Sequence, residues 1–103
     1  MIYYVDIDET ICFYAGERYY PEAKPLRENI KKINELYDAG HTVVYWTARG
    51  GVTGRDWTEL TTNQLEEWGA KHHELKLGKP HYDLFIDDKV VNSRDFFGDK
   101  LES

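Results

Sequence analysis

The sequence predicts an α/β domain built on a mainly parallel sheet. Short β-prone apolar blocks alternate with amphipathic helical stretches, the pattern of βαβ units. Two of the blocks, Ile2 to Ile7 and Thr42 to Thr47, are apolar nearly throughout, as expected of strands buried on both faces. The length of 103 residues fits one domain, 1–103.

The elements follow in order. Ile2 to Ile7 is the first strand. Residues 11–24 show no clear period but carry Phe13, Tyr14, Tyr19 and Tyr20, and they read as a flap. Pro25 to Ala39 predicts a helix, with Leu26, Ile30, Ile33 and Leu36/Tyr37 on one stripe. Pro25 suits its first turn and Gly40 its end. Thr42 to Thr47 is the second strand. Asp56 to Trp68 is the second helix, with Asp56 and Glu59 spaced as a capping box and Gly69 as its stop. His72 to Leu75 is a short third strand and Asp83 to Ile86 a fourth. A last short helix is expected near Arg94 to Phe97.

The net charge of −6 argues against a nucleic-acid or anionic-membrane partner. No apolar run approaches the roughly 20 residues that span a bilayer. Asp6 and Asp8 interrupt the first apolar block, which excludes a signal-peptide pattern there. The expectation is a soluble, cytoplasmic protein. Cys12 stands alone, so no intrachain disulfide can form.

Ligands of open α/β sheets bind beyond the carboxyl ends of the strands. Polar residues gather at those ends: Asp6-Ile7-Asp8-Glu9-Thr10, Thr47-Ala48-Arg49 and Asp87-Asp88, with Lys79 in the loop entering the fourth strand. A hard divalent cation such as magnesium takes one or two carboxylates plus substrate phosphate and water. A carboxylate can attack phosphorus and form an aspartyl-phosphate. A second acid two residues on can protonate the leaving oxygen and then activate water. Each fragment alone is weak, since acids are common in solvated loops and turns. Their joint order and spacing are specific.

With these residues in view, the chain resembles the phosphatases of the haloacid dehalogenase (HAD) superfamily, from Ile2 to about Asn92. Asp6-Ile7-Asp8-Glu9-Thr10 matches the family's Asp-x-Asp-x-Thr motif, Thr47 the second motif, Lys79 the third and Phe85-Ile86-Asp87-Asp88 the fourth. Glu9 departs from the glycine found there in many members. The resemblance implies a Rossmann-like three-layer sandwich with the Asp6 strand central and strand order 3-2-1-4. It implies that Asp6 is the nucleophile and Asp8 the general acid/base. Thr47 and Ala48 would bind the phosphoryl group, and Lys79 would bridge it to Asp6. Asp6, the Asp8 carbonyl and Asp87 would hold Mg2+. Asp88 would stand behind these ligands, bind the metal directly or meet substrate; Arg49 is a candidate for a supporting or substrate-binding role because it lies in the loop leaving the Thr47 strand. There is no room for a cap domain, so the flap, or a second subunit in a homodimer, would close the site. A small phosphorylated metabolite such as a sugar phosphate is the expected substrate. The alternatives are a nucleotide or polynucleotide 3′-phosphatase, or a non-catalytic binding relative.

Other residues invite function less convincingly. Neighbours on a strand point to opposite faces, so His72 and His73 make a poor chelate. Cys12 has no partnered base and reads as a buried thiol. Trp46, Trp57 and Trp68 read as core. Gly50, Gly51 and Gly54 loosen the loop that also holds Arg55, but glycine alone makes no phosphate cradle. A receiver-like signalling domain would put its acid pair on the first strand; here the pair comes last.

Overall fold

The computed structural model describes residues 1–50 and 54–98. Its sheet has three parallel strands: β1 (Ile2–Val5), β4 (Thr42–Thr47) and β5 (Glu74–Leu77), side by side in that order. Between β1 and β4 lie a two-residue antiparallel pair, β2 (Cys12–Phe13) with β3 (Lys24–Pro25), and the helix α1 (Arg27–Asp38). Helix α2 (Thr58–Glu67) joins β4 to β5, and α3 (Ser93–Phe97) follows. The expected α/β class and parallel sheet are present.

Local chemistry explains the ends of these elements. Pro25 sits in β3, just before α1, where its missing N–H costs nothing to the helix. The Asp56 carboxylate accepts the Thr58 N–H ahead of α2, in an Asx turn and not the expected capping box. Asn92 caps α3 through the Arg94 N–H, and left-handed Gly98 ends it. The third strand begins two residues later than His72, because the alternation Glu74-Leu75-Lys76-Leu77 fits a strand with one solvated face.

The core lies on one face of the sheet. Val5, Val43 and Tyr45 pack with Ile30 and Ile33 of α1, Leu65 of α2, Trp68 and Phe97 of α3, and Tyr3 and Leu75 lean against them. These strand residues share one parity, so all three helices cover the same face. The opposite parity carries exposed Ile2 and Tyr4, with Trp46 and Lys76 packed on the Tyr4 ring. The expected three-layer sandwich is therefore corrected to two layers among the described residues. Sequential strand order explains this: right-handed crossovers that advance in one direction put successive helices on one side.

The fourth strand is also corrected. Asp83 to Ile86 forms no ladder, Leu84 and Ile86 are exposed, and β1 is an edge strand among the described residues. Leu84 and Ile86 stand in solvent, and the edge of β1 carries no further strand among the described residues. Order 3-2-1-4 is thus observed only as its 3-2-1 part.

Candidate functional site

Parallel register brings three strand ends to one rim. Val5 lies opposite Tyr45 and Thr47 opposite Leu77, so the residues that follow each strand emerge together. Asp6 to Asp8 leave β1, Ala48 and Arg49 leave β4, and Lys79 follows β5. The Lys79 N–H donates to the Thr47 carbonyl at 3.0 Å, which ties the last two loops.

Asp6 points into this rim, with its side chain 41% exposed and its Oδ1 3.7 Å from Lys79 Nζ. Burial raises its pKa above the ordinary carboxylate value, opposed by the Lys79 charge and the Ile7 N–H. Lys79 also lies over the rings of Trp46 and Tyr82. Thr47 is almost fully buried, and its Oγ1 accepts the Arg49 N–H at 3.2 Å. Ala48 is half-buried beside it.

Asp8 and Arg49 form the densest part of the site. Arg49 is 2% exposed although it sits in a loop. Its Nη2 and Nε donate to Oδ1 and Oδ2 of Asp8 at 2.9 and 3.2 Å. Its Nη1 donates to Thr61 and Gln64 of α2, and Nη2 also to the Tyr14 hydroxyl. The Tyr14 hydroxyl donates in turn to Asp8 Oδ1, and Gln64 Nε2 donates to the Tyr20 carbonyl. Burial would raise the Asp8 pKa, but the hydrogen bonds and charge of Arg49, with help from Tyr14 and Cys12, hold it below the ordinary value.

The flap is fastened over this cluster. Of its four aromatics, Tyr14 reaches Asp8 and Tyr20 lies against both Arg49 and Trp57. Phe13 and Tyr19 face solvent. Glu9, where many HAD members have glycine, takes φ of +64°, the left-handed region, and pairs with Arg18. Cys12 is fully buried, and burial together with the Asp8 charge pushes its thiol up to about 12.

Not every expected residue joins the rim. Asp87 is exposed and accepts the Lys89 N–H in a local turn; Asp88 is exposed beside it. Among the described residues no three acidic, histidine or cysteine side chains cluster to hold a metal. His72 meets the Ala70 carbonyl and the edge of Tyr45, whereas His73 stacks on Tyr37, so they form no pair. Arg55 lies over Trp57. Gly51 falls outside the described residues. The partners Thr61 and Gln64 had no signal in the sequence, because they meet a loop arginine 12 and 15 positions away.

Comparison with known proteins adds a fold neighbour. A crystal structure of an MCSG target from Vibrio cholerae superposes with a TM-score of 0.80 at 26% identity, covering 98% of this chain and 90% of that one. No family model and no curated protein matches the chain. No helix among the described residues is long and apolar enough to cross a membrane.

Proposed function

We propose that this chain is a HAD-type, magnesium-dependent phosphomonoester hydrolase, acting on a small phosphorylated metabolite such as a sugar phosphate. The supporting observation is the meeting of Asp6, Lys79, Thr47 and the buried Asp8–Arg49 pair at the carboxyl ends of adjacent parallel strands.

Asp6 is the nucleophile. Its carboxylate is open to substrate, and the nearby Lys79 charge favours the ionised form against burial. An Asp6 oxygen forms the bond to phosphorus as the bond to the leaving oxygen breaks. Asp8 gives that oxygen a proton, which it takes up beforehand against the pull of Arg49 toward the ionised form. Water then attacks phosphorus, Asp6 is released, and the water proton passes to Asp8. Lys79 holds a phosphoryl oxygen. Thr47 Oγ1 accepts from Arg49 N–H and so keeps its own proton for another, alongside the Ala48 backbone.

The donor set suits magnesium, which accepts a single carboxylate with the rest of its shell phosphate and water. Asp6 and the Asp8 carbonyl would hold it, with Asp87 as a further ligand. The ion would neutralise phosphoryl charge. Asp87 reaches the rim if Asp83 to Ile86 lies along β1, and the edge of that strand, unpaired among the described residues, supports such a docking.

Hydrolysis of p-nitrophenyl phosphate with magnesium tests this reading. A screen of phosphorylated sugars, nucleotides and 3′-phosphorylated oligonucleotides then tests the substrate. Wild-type turnover is expected, with a loss on the order of 10³-fold or more in Asp6→Asn. No turnover of any phosphate ester would leave a binding protein instead.

A further inference from the structure

We infer that Arg49 is a positioning residue whose guanidinium, anchored on α2 by Thr61 and Gln64, orients the Asp8 carboxylate so that Oδ2 is the oxygen that exchanges a proton with substrate. The inference rests on the proposed phosphohydrolase chemistry and assigns a task that the catalytic motifs do not.

Arginine has five N–H donors in a rigid plane. Here five contacts use them: two to Asp8, one each to Thr61 and Gln64, and one to the Tyr14 hydroxyl. None is left for a phosphoryl group, so Arg49 acts through Asp8. The guanidinium is fixed from behind by the helix and presents a fork to the carboxylate.

The two Asp8 oxygens are not equivalent. Oδ1 receives Arg49 Nη2, the Tyr14 hydroxyl and the Cys12 thiol at 3.5 Å. Among the described residues, Oδ2 receives Arg49 Nε alone. A carboxylate oxygen has two lone-pair sites. Oδ1 is fully subscribed and Oδ2 keeps one site open. The proton given to the leaving oxygen therefore sits on Oδ2, and its direction is set by α2 through Arg49. A lysine would keep the charge but could not bond Asp8 in two places while reaching Thr61 and Gln64.

Leaving-group dependence separates this role from a general structural one. Phenyl phosphate needs a proton on its leaving oxygen, whereas 2,4-dinitrophenyl phosphate scarcely does. Arg49→Lys is expected to lower kcat/KM, which reports phosphoryl transfer to Asp6 and not the later water attack that Asp8 also serves, about 100-fold on phenyl phosphate and less than about 5-fold on the dinitrophenyl ester. Gln64→Met, which keeps the Arg49–Asp8 pair, is expected to give the same asymmetry at about 10-fold, and it carries the test if Arg49→Lys does not fold. Equal losses on both esters in Gln64→Met, or no loss, overturn the inference and leave the phosphohydrolase reading intact. A wild-type protein inert to both esters overturns the reading, and the inference with it.

Discussion

At the scale of single residues, two aspartates two positions apart are held in opposite ways. Asp6 sits half-open with its pKa raised, chiefly by burial. A carboxyl raised in the fold costs stability once ionised, so Asp6→Asn is expected to leave stability unchanged or higher while abolishing turnover. Asp8 is depressed in the fold, so its contribution is present above the unfolded pKa near 4 and lost as pH falls through the folded value. Asp8→Asn strands the buried Arg49 charge, and a loss of about 3–5 kcal/mol is expected by urea denaturation at pH 7. Equal stability of the two variants would contradict this. Tyr45 makes a third case. Its hydroxyl is buried without a hydrogen-bond partner among the described residues. Tyr45→Phe is therefore expected to raise stability, by about 1 kcal/mol, and a marked fall would reveal a bond at that hydroxyl. Asp6 and Asp8 were legible as a pair because their spacing is local, and Lys79 because it lies in a loop beside the strand ends. The Asp8–Arg49 fork was not, because 41 positions separate its partners and only the β1–β4 register brings them together.

At the scale of elements, the loops after β1 and β4 depend on left-handed backbone. Gly50 has φ of +84°, and a Cβ there would stand 2.4 Å from the Arg55 carbonyl oxygen. Gly50→Ala combines that clash with the cost of a left-handed side chain, and a loss above about 2 kcal/mol is expected. Glu9 already carries the left-handed cost, offset in part by its exposed contact with Arg18. Glu9→Gly is expected to be neutral or stabilising by up to about 1 kcal/mol in the same denaturation experiment. A large loss would mean that the Glu9 side chain holds the turn. The long apolar blocks made β1 and β4 readable, and the Ile30–Ile33 stripe made α1 readable. β5 was displaced because its real signal is alternation, not a continuous apolar run.

At the scale of the whole molecule, the described residues put no helix on one sheet face and no strand beyond the outer edge of β1. Ile2, Tyr4, Leu84, Ile86, Val90 and Val91 are all exposed. A local apolar block cannot report whether it will pair with a neighbouring strand, which is why Asp83 to Ile86 read as a strand. Under the proposed function, magnesium and a phosphate analogue would draw Asp87 to the rim and seat this block on β1. Amide exchange at Leu84 to Ile86 is expected to slow by about 10-fold or more on adding both, since a docked ladder must open before exchange. Unchanged exchange, with turnover present, would mean that Asp87 is not a ligand.

The central claim is that Asp6 carries the phosphoryl group during turnover, and trapping tests it most directly. An acid quench during steady-state turnover of a phosphate ester, followed by borohydride reduction, converts an aspartyl-phosphate to homoserine. Peptide sequencing by mass spectrometry is expected to find homoserine at position 6 alone, dependent on substrate and magnesium. Homoserine at another aspartate, or none at position 6 from an enzyme shown to be turning over, would contradict the account.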